Sequence, residues 1–239
     1  MMVFDKERIY GFGRKPQYYK WTTILEHQLF AADRAQKAPP TPDHNAKRPA
    51  RNNAMVSFGA PKTMDPTGKP LTVSAWVNAK RPNGVILARG GPANGYALVL
   101  QRARVGFLVR SADKLGGVSV QQRMIDRWVH VAGVLTADKQ LRIYIDGKLA
   151  GKGQAPALIA ATPLQGLEVG SDDGAAVGTY KSPHTLTGIV DGLRIYHRAL
   201  DDKEITALFA GKAPAKDPAL MLACDFNNGK ARDASDKNH

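Results

Sequence analysis

The stretch Leu141-Arg-Ile-Tyr-Ile-Asp-Gly-Lys-Leu149 is the part of the sequence that decides the fold. It joins two strand-like runs through Asp146-Gly147, and an Asp-Gly pair readily adopts the positive φ angles that a type I′ hairpin turn requires. The stretch therefore predicts a tight β-hairpin. Short apolar runs separated by turn residues precede it from Leu71 onward. Many short strands at regular spacing are typical of an all-β sandwich or barrel.

Two further elements stand out beyond the hairpin. The odd-numbered residues from Leu71 to Val77 are all apolar, which places them on one face of a strand. Near the other end of the β region, an apolar stripe follows Asp201 or Asp202, either of which can cap the first turn of a helix, and Gly211 provides a stop. The sequence thus predicts one short helix on an all-β fold.

The chain divides into four zones. Residues 1–37 form an N-terminal attachment with a predicted short helix at 23–32, interpreted as the tail of a preceding domain. Residues 38–51 are a proline-rich linker, because proline fixes φ and removes a backbone donor. Residues 52–210 hold the strands. Residues 211–239 are a tail, which either starts a second domain or adds a closing strand to the first.

Composition excludes several classes of protein. The chain carries 34 Lys+Arg and 21 Asp+Glu, a net charge of +13. The excess is spread along the chain with no run of five or six like charges, which argues against nucleic-acid binding. No apolar run approaches the roughly 18–20 residues of a membrane span, and the N-terminus has no signal-peptide pattern. The single cysteine, Cys224, does not indicate the redox compartment.

Four motifs carry a resemblance to a known family. They are Leu-Thr-Val-Ser-Ala-Trp-Val from Leu71, Trp-Val-His-Val-Ala-Gly-Val from Trp128, the hairpin from Leu141, and Gly-Ile-Val-Asp-Gly-Leu-Arg-Ile-Tyr-His-Arg from Gly188. In this order they resemble the concanavalin A-like, laminin G-like jelly-roll family. The resemblance implies a two-sheet antiparallel jelly-roll sandwich over 52–210, with the helix after the last strand pair and an irregular N-terminal extension.

The two ends of the chain carry weaker resemblances. The segment from Leu220 to Asn238 is similar to the opening strand and turn of another copy of the same jelly roll. The N-terminal segment from Tyr10 to Thr23 resembles the stretch that follows the catalytic domain in some modular bacterial sulfatases. These resemblances imply that the chain is part of a larger protein.

Two kinds of catalysis are not expected here. A sulfatase nucleophile needs Cys or Ser followed by x-Pro-x-Arg, and Cys224 is followed by Asp-Phe-Asn. Retaining glycosidases need two carboxylates about 5–5.5 Å apart. The four glutamates, Glu7, Glu26, Glu168 and Glu204, include no such pair in sequence. We therefore predict a chain without enzymatic activity, whose parent protein could be a hydrolase such as a sulfatase.

The loop Gly170-Ser-Asp-Asp-Gly174 is the candidate metal site. Asp172 and Asp173 supply adjacent carboxylates on a backbone able to offer carbonyl oxygens, the ligands that calcium prefers. The family resemblance also implies calcium at such a rim loop. The competing interpretation is an ordinary solvated turn. Histidine spacing gives no indication of zinc.

A glycan site needs exposed aromatic rings flanked by amide or charged partners. Tyr96, preceded by Asn94, and Tyr180 are the candidate rings, whereas Trp76 and Trp128 are expected in the core. Arginines on neighbouring strands could form a basic face for sulfated or carboxylated glycans, and a solvated outer face is the alternative; they are Arg89, Arg102, Arg104 and Arg110.

The function predicted from these features is that of a non-catalytic carbohydrate- or protein-binding module of a larger extracytoplasmic protein. The partner is expected to be a glycan, anionic or sulfated, or a protein surface. One alternative is the C-terminal accessory part of a sulfatase. Another is a structural spacer.

Overall fold

Two compact units make up the chain, residues 1–40 and 41–239. The computed structural model describes residues 2–4, 9–11, 55–182, 184–212, 216–226, 232, 233 and 235. In the first unit, β1 (Met2–Phe4) pairs antiparallel with β2 (Ile9–Gly11). The predicted helix at 23–32 and the linker at 38–51 lie outside the described residues.

The described residues of the second unit form strands, one 3₁₀ turn and one α-helix. The 3₁₀ turn spans Lys62–Met64 and α1 spans Asp202–Phe209. The strands are β3 (Val56–Gly59), β4 (Leu71–Ala79), β5 (Gly84–Gly90), β6 (Gly95–Gln101), β7 (Arg104–Ser111), β8 (Lys114–Gln121), β9 (Trp128–Leu135), β10 (Gln140–Ile145), β11 (Lys148–Gln154), β12 (Leu167–Val169), β13 (Gly188–Tyr196), β14 (Leu220–Asp225) and β15 (Arg232–Asp233).

The strands pair in the order β15-β14-β13-β4-β9-β10-β11-β8-β7-β6-β5-β12-β3. The first seven form one layer, here called the helix-side sheet, and the last six form the other, the loop-side sheet. The two layers are linked by a single pairing, between Gln154 of β11 and Gly117 of β8. The strand pairings are antiparallel, so the predicted two-sheet antiparallel sandwich is confirmed.

The core lies between the two sheets. Alternate residues of each strand point into it, among them Val73 of β4 and Val131 of β9 from one sheet and Leu98 of β6 and Phe107 of β7 from the other. These four side chains are fully buried. The period-two alternation seen in the sequence is the direct cause, because successive side chains of a strand point to opposite faces.

Helix α1 covers the outer face of the helix-side sheet. Ile205 and Leu208 pack there against Tyr144 and Tyr196, and Phe209 stacks on Trp76 with ring centroids 5.5 Å apart. Strand β4 is therefore buried on both faces for most of its length. This explains why Trp76, although it points away from the core, is only 6% exposed.

The predicted hairpin and the tail strand are both visible in the sheet. Asp146 and Gly147 have φ values of +48° and +77°, as the Asp-Gly turn requires. Strand β14 pairs with β13, so the segment from Leu220 belongs to this sandwich as an additional strand. Within the described residues, no helix is long and apolar enough to cross a membrane.

Candidate ligand-binding site

One end of the sandwich gathers basic residues from four separate loops. The loop before β5 and the turn before β7 meet where Ala103 N donates to Pro82 O at 3.0 Å. The loop before β9 joins them, because Gln122 N donates to Ala103 O at 3.1 Å. We call the exposed cations of this end the basic rim; they are Lys80, Arg81, Arg102, Arg104, Arg123, Arg127 and Lys148.

The rim keeps most of its charge. The loops that carry it contain only two acids, Asp126 and Asp146. Asp126 pairs with Lys80 at 2.6 Å and Asp146 pairs with Arg127 at 3.3 Å. Among the residues that the structure describes, the remaining rim cations form no ion pair. This part of the surface is thus a set of guanidinium and ammonium groups open to an acidic ligand.

The turn between β6 and β7 holds two of the rim arginines, Arg102 and Arg104, at the surface. Arg102 and Ala103 have φ values of +50° and +60°, and Arg102 N donates to Asn83 Oδ1 at 2.9 Å, which fixes the tight turn between β6 and β7. Arg104 donates to the carbonyl of Ser119 at 2.8 Å. The predicted ligand residues Arg102 and Arg104 therefore lie together and exposed on this end.

The predicted aromatic platform is wrong. Tyr96 is fully buried because it alternates with Ala97 along β6 and points into the core. Tyr180 is 7% exposed, because its loop folds back over the loop-side sheet and packs the ring against Val99 and Val177. Neither ring is available to stack on a sugar.

Asn94 is also separated from the rim. It lies before β6, where its Oδ1 accepts a hydrogen bond from Ala112 N at 3.1 Å, so its role is to hold the turn between β7 and β8. Arg102 follows the other end of the same strand, about 27 Å away at 3.4 Å per residue. Of the other two arginines, Arg110 donates to Val177 O at 2.6 Å and Arg89 is buried. The predicted ligand residues therefore do not lie together in one site: Arg102 and Arg104 are at the rim, and Asn94 is at the opposite end of β6.

The Asp172–Asp173 turn is partly engaged in internal bonds. The Tyr180 hydroxyl donates to Asp172 Oδ2, and Asp172 is 1% exposed. Asp173 is exposed, and its backbone N–H donates to Glu168 Oε2 at 2.7 Å. Within the described residues, no group of three or more His, Cys, Asp or Glu side chains is arranged to hold a metal ion. Calcium at this turn stays a prediction.

The carboxylates and the histidine that could suggest catalysis have structural partners. Glu204 forms two hydrogen bonds with the Arg198 guanidinium, at 2.7 and 2.9 Å, and Glu168 binds the Asp173 backbone. His130 lies beneath Trp76, with ring centroids 5.4 Å apart, and burial lowers its pKa to about 3. The imidazole is therefore neutral at pH 7 and contributes to the packing of the helix-side sheet.

Comparison with known proteins agrees with this architecture. The model of a laminin G-like family, described as the concanavalin A-like lectin/glucanases superfamily, matches residues 51–206, so the chain belongs to this family. No curated protein matches the sequence.

Solved structures share the fold at low sequence identity. A proposed carbohydrate-binding protein from Bacteroides ovatus is 14% identical with a TM-score of 0.56, covering 75% of this chain and 53% of that one. A pentraxin from Limulus polyphemus is 12% identical with a TM-score of 0.50, covering 72% and 91%. The receptor-binding domain of botulinum neurotoxin C/D mosaic serotype is 12% identical with a TM-score of 0.51, covering 66% and 40%. This chain thus spans about half the length of the first of these proteins.

Arg102 and Arg104 are the predicted ligand residues that lie on the rim, and the other rim cations were not predicted from the sequence. Arg81, Arg123 and Lys148 come from loops far apart in sequence, and only the closed sandwich brings them together. The sequence did contain one indication of these residues, because each of them lies within a few positions of a predicted turn and therefore near the end of a strand.

Proposed function

We propose that this domain is a non-catalytic binding module that recognises an anionic glycan through the basic rim. The observation that carries the proposal is the concentration of exposed cations at one end of the sandwich, where only Asp126 and Asp146 oppose them. Guanidinium groups present a planar fork of N–H donors that matches carboxylate and sulfate oxygens. Cations from several loops could contact successive acidic groups of an extended chain.

The fold supports a binding role by analogy. It is shared with a proposed carbohydrate-binding protein and with a receptor-binding domain. Because a fold by itself does not define a function, the argument depends on the rim. The engagement of Glu168 and Glu204 in internal bonds supports the non-catalytic part of the proposal.

Glycan-array binding tests the proposal directly. The triple variant Arg81→Gln/Arg102→Gln/Arg123→Gln removes three exposed rim cations. The matched control, Lys114→Gln/Lys139→Gln/Lys152→Gln, removes the same charge from exposed sites elsewhere. We expect the wild type to bind sulfated or carboxylated glycans, and the rim variant to lose at least tenfold in affinity while the control retains it.

Two outcomes would contradict this proposal. Equal losses in both triple variants would mean that net charge alone drives binding. Absence of binding to neutral and acidic glycans alike would favour a spacer. Salt dependence provides a second measurement, because exposed charge contacts weaken as ionic strength rises.

The parent protein is the second part of the proposal. We infer that the module belongs to a larger extracytoplasmic protein, with attachment to a sulfatase as the specific alternative suggested by the N-terminal stretch from Tyr10 to Thr23. The DNA flanking the reading frame tests the alternative. An upstream Cys/Ser-x-Pro-x-Arg motif in the same frame would support it, and an in-frame start without that motif would end it.

A further inference from the structure

A buried arginine lies at the end of the sandwich opposite the basic rim. Arg89 is near the end of β5, directly paired with Tyr96 of β6 on one side and Leu167 of β12 on the other. Directly paired residues share a face of the sheet, and Tyr96 and Leu167 belong to the core. The Arg89 side chain therefore points between the two sheets, where it is only 1% exposed.

The Arg89 guanidinium has no hydrogen-bond partner among the residues that the structure describes. Its Nε, Nη1 and Nη2 atoms are all buried without an acceptor, and no described carboxylate forms an ion pair with it. An unpaired buried charge costs several kcal/mol in principle. A hydrogen-bond acceptor beside the guanidinium would offset this cost.

Tyr96 adds a second unsatisfied donor. Its hydroxyl is buried and has no hydrogen-bond partner in the described part of the chain. Burial raises the pKa of Tyr96 to about 12, so the phenol keeps its proton at neutral pH. The hydroxyl can therefore donate to the same acceptor as its cross-strand neighbour Arg89.

His197 adds a third donor from the facing sheet. It follows β13, in which Ile195 points into the core and Tyr196 points outward, so His197 lies on the inner side. Its Nδ1 is 3.5 Å from Lys69 Nζ. Because an ammonium group can only donate, this contact favours the tautomer in which Nδ1 accepts and Nε2 carries the proton. Nε2 is buried, and among the residues that the structure describes it has no hydrogen-bond partner.

The charge state of His197 agrees with this assignment. Burial lowers the pKa of His197 to about 4, and the positive charge of Lys69 acts in the same direction. The Met64 backbone opposes this decrease, and the charges of Arg89 and Asp65 have smaller effects of opposite sign. The imidazole is thus neutral at pH 7 and donates only through Nε2. Tyr196, the residue before His197, pairs with Thr72 near the start of β4, so His197 lies at the end of the sandwich opposite the basic rim, the same end as Arg89.

We propose that this cluster is an internal binding site for one small oxyanion, held by Arg89, Tyr96 and His197 with Lys69 at its entrance. All three buried groups are donors, and an oxyanion is a ligand that only accepts. Burial decreases from Arg89 through half-buried His197 to exposed Lys69, which gives the anion a route from solvent. Asp65, the carboxylate whose charge acts on His197, already accepts hydrogen bonds from the hydroxyl groups of Thr67 and Thr162 at 2.6 and 2.7 Å.

The test is anion-dependent thermal stability of the full chain. Protein in a low-salt zwitterionic buffer at pH 7 is titrated separately with sodium acetate, sodium phosphate and sodium sulfate. We expect a saturable rise in Tm of roughly 5–10 °C at about 100 times the dissociation constant for at least one anion. A response to acetate defines a carboxylate site, and a stronger response to phosphate or sulfate defines a site for a tetrahedral anion.

Variants assign the response to the cluster. Arg89→Met should abolish the rise and have a low-salt Tm at least as high as that of the wild type, because an apolar side chain of similar size removes the unpaired charge. The rim variant Arg81→Gln/Arg102→Gln/Arg123→Gln should keep the rise, which separates this site from the proposed glycan surface. An equal rise in Arg89→Met, or no saturable rise in the wild type, would overturn the proposal.

If Arg89→Met does not fold, two variants nearer the surface can still show whether the anion binds at this cluster. Lys69 is exposed and His197 is half-buried, so Lys69→Met and His197→Phe put the fold at less risk. Each should raise the anion concentration at half-maximal response at least threefold. Wild-type midpoints in both variants would contradict the assignment.

Discussion

The Phe107 ring occupies the space that a side chain on Gly133 would need. A Cβ added to Gly133 would lie 2.4 Å from Cγ of Phe107. Phe107 belongs to β7 of the loop-side sheet and Gly133 to β9 of the helix-side sheet, so this contact is where the two sheets interlock. The absence of a side chain at residue 133 allows the ring to lie against the opposite backbone.

We expect Gly133→Ala to destabilise the domain by about 1–3 kcal/mol, since the added methyl group overpacks the core. Chemical denaturation measures the loss. Phe107→Leu should also destabilise, but the double variant should lose less than the sum of the two, because the smaller side chain makes room for the methyl group. Strictly additive losses would show that the two positions do not share this space.

The helix depends on a capping box that the sequence partly predicted. Asp201 Oδ1 accepts from Glu204 N at 2.8 Å, and Glu204 Oε2 accepts from Asp201 N at 2.9 Å. Asp201→Ala should therefore cost about 1 kcal/mol of unfolding free energy. Lys203 is exposed and lies two residues after Asp201, so Lys203→Ala should have little effect on the free energy of unfolding. If Asp201→Ala lowered the free energy of unfolding no more than Lys203→Ala does, the capping box would not contribute to stability.

Much of the fold follows from local sequence patterns. Alternation from Leu71, the Asp146-Gly147 turn and the helix after Asp201 could each be predicted because each is set by residues close in sequence. The pairing of β14 with β13 could not be chosen over a second domain, because the helix and a further loop separate the two strands. Long-range contacts of this kind have no local signature.

Asp172 should make stability depend on pH. Burial raises its pKa above 3.8, against the opposing effect of the hydrogen bond from Tyr180. The folded state then binds more protons than the unfolded state as pH rises from 3.8 to the raised value, so stability falls across that interval. Asp172→Asn should reduce this fall in denaturation midpoints measured from pH 3 to 7. The exposed Asp173→Asn is the control, and an unchanged slope in Asp172→Asn would refute the assignment.

Calcium binding by the Asp172–Asp173 turn can be tested in the same domain. Millimolar calcium should raise the Tm of the wild type, and Asp173→Asn should abolish the rise. Tyr180→Phe frees Asp172 Oδ2 from its hydrogen bond and should lower the calcium concentration needed. Magnesium at equal concentration controls for ionic strength. A wild-type Tm that calcium leaves unchanged would exclude the site.

The candidate sites were less predictable than the fold. Tyr96 is a candidate ring beside Asn94 in the sequence, yet a residue that follows a turn can point to either face of its strand, and the register places this ring in the core. Tyr180 is covered by tertiary folding of its own loop. The clustering of rim cations and the donors around Arg89 both depend on which strands become neighbours, and that information is distributed over the whole chain.

The position of β14 in the helix-side sheet bears on where this domain can be cut. The family match ends at residue 206, yet β14 covers the backbone of β13 from Leu193 to Tyr196 and buries Leu222. A recombinant fragment ending after α1 would leave β13 as an open edge, with unpaired N–H and C=O groups able to template pairing between molecules. We expect such a fragment to aggregate, so residues 220–225 belong in any fragment designed to contain this domain.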